Sequence, residues 1–388
     1  MRVCAVSFKE CWKDASGVWY SSGGFPVQMS AIASLFDEMT LIVTERPSPG
    51  DGGIRLPEGA RVVPLRKPAG SGFARKVFVM THLPYYVYKI LAHVRTADVV
   101  HVPLPGDIPF LGMIIALVLR KHLIARYCGS WIPVARTTAM NRLTKALMRL
   151  CAGGRNVMLA TGAGSSPPAR GIHWIWVTAL SSSEIKAIVP RLDRGLSNPP
   201  KLIYAGRLSP EKGVDVLIKA VALLREQGFA PLPMVTIAGE GPMRCELVQM
   251  AQERGCSDLI TFAGQLNREG LSEAMGQHDI CVQPSYTEGF AKVWLDALAY
   301  GLPVITTPVG SATEIVGACG ERGWLVAPGS PEQLSEKLCY VLSAELDWPA
   351  LRRRCREYAE AFTLEKWADE IARICAQQWK VRVGRKGR

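Results

Sequence analysis

Long apolar runs, paired cysteines and internal repeats are what this 388-residue sequence lacks. Its longest apolar run, Ile108 to Leu119, falls short of the roughly 18–20 residues that a membrane-spanning helix needs, so no transmembrane segment is expected. Eleven cysteines are scattered from Cys4 to Cys375 without a single C-x-x-C pair. That excludes zinc-ribbon and dithiol patterns, and it fits reduced thiols in a cytoplasmic chain better than a disulfide framework. Met1 to Ser7 reads as a short strand and not as a charged segment followed by an apolar one, so no secretory leader is expected. Neither a repeat of roughly 20–50 residues nor a low-complexity tract appears, which argues against solenoids and disordered arrays.

Acidic residues are scarce in the first half only. Up to Gly195 there are 24 Lys+Arg against 11 Asp+Glu, and beyond it 22 against 23, so the net charge of +12 belongs to the first half. Such a face has two readings: an anionic partner (an acidic acceptor, an anionic membrane surface, nucleic acid) or a solvated surface that keeps the chain dispersed. Hydrophobic residues make up 48% and charged residues 21%, the balance of a folded globular chain. The length suits two domains of roughly 150–200 residues.

Short apolar runs alternate with amphipathic segments. Strands are predicted at Val3–Val6, Thr40–Val43, Val99–Val102, Leu123–Arg126 and Val157–Ala160, with helices near Pro26–Phe36, Pro84–Val94, Ile108–Arg120 and Thr138–Leu150. The stretch Leu192-Asp-Arg-Gly-Leu-Ser-Asn-Pro-Pro200 can continue neither a helix nor a central strand and reads as a linker. A second series follows. Its strands are predicted at Leu202–Ala205, Met234–Ala238, Leu259–Phe262, Ile280–Gln283, Val304–Thr306 and Trp324–Val326, with helices near Val214–Glu226, Met243–Arg254, Arg268–Met275, Ala291–Tyr300 and Pro331–Leu342. The pattern predicts an α/β fold of two doubly wound, Rossmann-like domains, residues 1–195 and 196–350, facing across a cleft. Residues 351–380 read as a helical segment packing back toward the first domain, and 381–388 as a loose basic tail.

Two loops hold residues suited to an anion. Gly206-Arg-Leu-Ser-Pro-Glu-Lys-Gly213 follows a strand and opens a helix, where unpaired N–H groups and the helix dipole favour negative charge. Arg207 and Lys212 add two cations suited to a diphosphate, although the segment could equally be a solvated turn. After the strand Ile280–Gln283, Glu288 can accept bonds from sugar hydroxyls, while Gly289, Phe290 and Ala291 offer backbone N–H groups. Asp296 follows eight residues after Glu288, either on a ribose diol or merely as an acid near a helix start. Basic and aromatic residues mix from Phe73 to Lys89, a composition suited to a membrane interface or to packing under a loop.

These segments resemble the retaining glycosyltransferases of family 4, the group 1 enzymes with the two-domain GT-B fold. The matching motifs are G-R-L-x-x-E-K-G at Gly206–Gly213, A-G-E-G-P at Ala238–Pro242, E-G-F-x-K-V from Glu288, and L-D-A-L-A-x-G-x-P-V at Leu295–Val304. The resemblance is specific from about Lys201 to Leu342 and rests on architecture before that. It implies that Arg207 and Lys212 bind the donor diphosphate and that Glu288 contacts the donor sugar. It places Gly239 and Gly241, with Gly206, under the nucleotide, Gln265 and Leu266 at the base, and Asp296 where the family's second Glu meets the ribose. Asp is shorter by one methylene, roughly 1.5 Å of reach. Gly24, in Ser22-Gly23-Gly24-Phe25, resembles the family's glycine-rich loop. Where the family often has His-Gly, this chain has Arg126-Tyr-Cys-Gly-Ser-Trp131, so Tyr127, Ser130 or Trp131 is expected to line the site; His101 is read as a buried structural residue.

The implied reaction is configuration-retaining transfer of a sugar from a UDP- or GDP-sugar to a hydroxyl of a glycan or lipid-linked acceptor, in surface polysaccharide assembly at the inner membrane face. No D-x-D pair occurs, which agrees with catalysis needing no metal and no other cofactor. A catalytically silent nucleotide-sugar-binding subunit is the alternative. Without a recognisable nucleic-acid module, no nucleic-acid partner is expected.

Overall fold

Strand and helix alternate along the chain in the computed structural model, which describes residues 1–48, 50, 53–70, 72–131 and 137–384. The chain divides into two compact units: Met1–Ala179 with the segment from Leu364 onward, and Leu180–Thr363.

The first unit opens with β1 (Arg2–Lys13), β2 (Trp19–Ser21), α1 (Phe25–Ala33), β3 (Glu38–Glu45), β4 (Ile54–Arg55) and β5 (Arg61–Leu65). It continues through α2 (Gly72–Thr81), α3 (Leu83–Val94), β6 (Val99–Leu104), α4 (Asp107–Val118), β7 (His122–Tyr127), α5 (Ala139–Cys151), β8 (Asn156–Thr161) and β9 (Ile172–Ile175). Strands β5-β3-β1-β6-β7-β8-β9 pair in parallel, and β6 is buried at all its positions, as a strand covered on both faces must be. β1 slips register between Val6 and Glu10, and its far end forms an antiparallel hairpin with β2. Pro64 cannot donate to a ladder, and β5 duly lies at the sheet edge. One face of the sheet packs against α1, the other against α3, α4 and α5.

The second unit holds α6 (Ser182–Ala187), β10 (Lys201–Ala205), a 3₁₀ turn at Pro210–Lys212, α7 (Val214–Glu226), β11 (Met234–Ala238) and α8 (Arg244–Glu253). Then come β12 (Ile260–Gly264), α9 (Arg268–Gln277), β13 (Ile280–Gln283), α10 (Lys292–Ala299), β14 (Val304–Thr306), α11 (Ala312–Val316), β15 (Gly323–Leu325), α12 (Pro331–Ser343) and α13 (Trp348–Glu360). Its six parallel strands run in the order β12-β11-β10-β13-β14-β15, so the winding reverses between β10 and β13.

The predicted boundary at Gly195 moves to Ala179. Residues 180–195 belong with the second unit because α13 holds them. Arg352, fully buried, donates to the carbonyls of Arg194, Gly195, Asp279 and Gly301, and Arg356 to those of Ile185 and Ala299. The helical segment predicted over 351–380 is two helices. α13 stays with the second unit; after Ala361–Thr363 the chain enters α14 (Leu364–Trp379), which packs in the first unit beside α1 and β8. Trp379 Nε1 donates there to the Arg155 carbonyl at 3.0 Å and Gln378 Nε2 to that of Asn156 at 2.8 Å. Of the basic tail, Arg385, Lys386 and Arg388 lie outside the described residues.

Candidate functional site

The winding reversal between β10 and β13 opens a crevice at their carboxyl ends, the place where ligands bind in open α/β sheets. Both predicted loops end there. Lys212 Nζ donates to Glu288 Oε2 at 2.5 Å, with 22% and 16% of the two side chains exposed. Lys212 therefore has further N–H donors to offer an incoming anion. Arg207 is exposed on the same loop, and its carbonyl accepts from the buried Tyr204 hydroxyl at 2.8 Å. The backbone is anchored while the guanidinium stays at the surface.

Glycines let three loops touch backbone to backbone. Gly206 N donates to Ala238 O at 2.9 Å, Leu208 N to Glu240 O at 2.9 Å and Gly239 N to Gly264 O at 2.7 Å. A Cβ on Gly239 would run into the Gly206 carbonyl, and one on Gly241 into that of Leu208. The structure thus brings Gly206, Gly239 and Gly241 together as a layer beneath the loop of Arg207.

A ladder of side-chain bonds supports Glu288 from below. Gln283 Nε2 donates to Ala205 O at 3.1 Å, Thr306 Oγ1 to Gln283 O at 2.7 Å and Thr307 Oγ1 to Ser285 O at 2.5 Å. Gly310 has φ +57°, and a Cβ there would strike the carbonyl oxygens of Glu288 and Gly289. Sequence reasoning missed these residues. A polar Gln ending an otherwise apolar strand, and the Val309-Gly310-Ser311 turn, were the available signals. Phe290 and Ala291 turn their side chains into the core, so only their backbone can serve a ligand. Ala291 caps α10 without a side-chain bond, which leaves the N–H groups of the first turn for an anion.

Asp296, half-buried on α10, differs from Glu288. Its Oδ1 is shut in without a hydrogen-bond partner among the described residues. Burial pushes its carboxyl up to about 6, opposed by the charges of Lys292 and Arg268. Arg268, which opens α9, forms an ion pair with Glu184. Gln265 is exposed and Leu266 half-buried on the preceding loop. Among the described residues, no three His, Cys, Asp or Glu side chains gather where a metal ion could be held.

Gly24 lies in the first unit, where it caps α1 and accepts from Gln28 N at 3.1 Å. The antiparallel strand β2 separates it from β1, the first of the parallel strands. Tyr127 and Trp131 pack against each other in the first unit. Both are buried, edge to face with centroids 5.7 Å apart, and Lys145 Nζ sits 5.1 Å from the Tyr127 ring. Strand alternation turns Cys128 outward at this point, and it is exposed. His101 is fully buried, and desolvation with the nearby Arg126 charge lowers its pKa to about 3.

Residues 193–362 match the family model described as glycosyl transferases group 1. An uncharacterised glycosyltransferase of Methanocaldococcus jannaschii is 31% identical over 215 residues, covering 55% of this chain and 53% of that protein. The chain spans about half the length of the first curated relatives it matches. Sucrose-phosphate synthase from Thermosynechococcus elongatus superposes with a TM-score of 0.72 at 19% identity, over 98% of this chain and 99% of that one. The Anabaena protein HepE, solved in complex with UDP, gives 0.69 at 18% identity over 97% and 100%. Residues 193–362 are thus similar to the group 1 glycosyltransferases, and the chain has the two-domain GT-B fold.

Proposed function

We propose that this chain is a retaining glycosyltransferase, moving a sugar from a UDP- or GDP-sugar to a hydroxyl of a glycan or lipid-linked acceptor in surface polysaccharide assembly. The observation that carries the reading is the Lys212–Glu288 pair at the winding reversal, with Arg207 on the same loop. Arg207, Lys212 and the N–H groups at the start of α10 neutralise the diphosphate as the bond to the sugar breaks. No metal and no other cofactor is needed in this reading. The acceptor hydroxyl attacks the face that the diphosphate leaves, and the diphosphate takes its proton, so configuration is kept without a protein base. Glu288 holds the sugar, Asp296 the ribose, Gln265 and Leu266 the base. The basic first unit receives the acceptor, at the cytoplasmic face of an anionic membrane.

Incubation of the purified protein with radiolabelled nucleotide sugars in EDTA tests this. Turnover of at least one donor, with the anomeric configuration kept by NMR, is the expected result; absence of both turnover and binding for every common donor overturns it. A silent binding subunit is favoured by one observation, that Cys128 stands where the family's His is expected. In that case nucleotide sugars raise the melting temperature and no acceptor is glycosylated.

A further inference from the structure

The two helix layers on the first sheet differ in what they show to solvent. Among the described residues, α1 and α14 expose no large apolar side chain. The opposite layer, α2 to α5, exposes Met80 (67%), Tyr88 (70%), Val118 (75%), Met140 (42%), Leu143 (48%) and Leu150 (81%). α5 departs furthest from the ordinary rule. Its packed face carries Thr144, Lys145 and Met148, and the Lys145 ammonium is drawn inward to the Trp131 carbonyl at 3.1 Å and the Tyr127 ring. Met140, Leu143 and Leu150, at helical spacing, face out instead. A helix that buries its lysine and exposes two of its three leucines gains nothing from water on its outer side.

Charge says what covers this face. With Lys145 turned inward, Lys89, Arg142 and Arg149 are the cations left to this layer's outer side among the described side chains, and its one acid, Asp107, is neutralised by Arg75 at 3.1 Å. A protein partner's core would leave Arg142 and Arg149 without counter-ions, whereas lipid head groups supply a continuous sheet of anions. We infer that the α2–α5 layer docks on an anionic lipid surface. α5 lies in the interface plane, with Leu143 and Leu150 among the acyl chains and Arg142 and Arg149 reaching back to phosphates. This names the surface behind the membrane placement proposed above, and it does not depend on catalysis. Val77, on α2, extends the same face.

Co-sedimentation of the full chain with vesicles tests the docking. Phosphatidylcholine vesicles containing phosphatidylglycerol should carry the protein down, and pure phosphatidylcholine should not. A Leu143→Asp/Leu150→Asp double variant should lose binding more than tenfold. Arg142→Gln and Arg149→Gln should each weaken it about five-fold, in line with the contribution of one cation near an anionic surface. All these side chains are exposed, so melting temperatures and nucleotide-sugar binding should stay at wild-type values; a Tyr340→Asp variant in the second unit serves as the control. Wild-type protein that binds neither vesicle, or a double variant that sediments as wild type does, overturns the proposal. So does light scattering that finds a dimer which the double variant splits, since a second copy would then cover the face. Failure of sugar transfer with intact vesicle binding sinks only the catalytic reading.

Discussion

Asp296 holds its proton more tightly in the folded chain than in the unfolded one, and this has a direction in pH. The native carboxyl titrates near 6 and the unfolded one near 3.8. Between those values the native state binds more protons, so stability falls as pH rises through the window and the loss is complete above about 6. Asp296→Asn should therefore raise stability at pH 7 by roughly 1–3 kcal/mol and flatten its pH dependence from about 4 to 6, as read by urea unfolding at several pH values. An unchanged profile would mean the carboxylate is solvated after all. If the residue also holds the ribose, the same variant binds nucleotide sugars more weakly. Lys212→Ala acts elsewhere: it leaves the fold intact and should weaken nucleotide-sugar binding about tenfold or more by calorimetry, a loss of about 1.4 kcal/mol. At this scale Arg207, Lys212 and Glu288 were legible because charged residues in turns after apolar strands stand out. The burial of Tyr127 and Trp131 was not legible, because composition does not reveal which way the side chains at and after a strand's end turn.

The loops work as a set. The carbonyls of Glu288 and Gly289 leave no room for a side chain at position 310, so Gly310→Ala should destabilise the second unit by about 1–3 kcal/mol and lower nucleotide-sugar affinity with it. Thermal melts with and without ligand check this; wild-type affinity would show that the Glu288 loop is supported by other means. The second unit's strands were readable because each is a short apolar run, closed by turn residues and buried on both faces. β2, β4, β5 and β9 escaped notice; in β5 a charged Arg61 and Pro64 break up the apolar run. β2 and β4 are a short hairpin extension with mixed residues, and His173 and Trp174 in β9 break the apolar run. The break between α13 and α14 escaped for another reason: the residues at Ala361–Thr363 carry no helix-stopping Gly or Pro.

At the scale of the whole molecule, α14 completes the core of the first unit. Trp367 is fully buried there, with the Arg126 guanidinium 5.1 Å from its ring, and Arg126 Nη2 in turn donates to Gln28 Oε1 at 2.9 Å. Trp367→Ala should lower the stability of the first unit by about 3–5 kcal/mol. Calorimetry should then show one transition moving down while a second, raised by nucleotide sugar, stays in place. A single transition shifting as a whole would contradict independent units. The two-domain plan could be read from the alternation of strand and helix. The true partition could not, since it depends on buried arginines of α13 whose partners lie some 160 residues away in sequence.

Because α14 returns to the first unit, the polypeptide passes between the units twice, after Ala179 and again after Thr363. The second unit is in effect an insertion within the first. During synthesis its whole parallel sheet emerges from the ribosome and can close while the first sheet still lacks the helix that covers β8 and β9. The domain that begins first is the one that must wait, with an apolar surface open until Trp367 and Ile371 arrive.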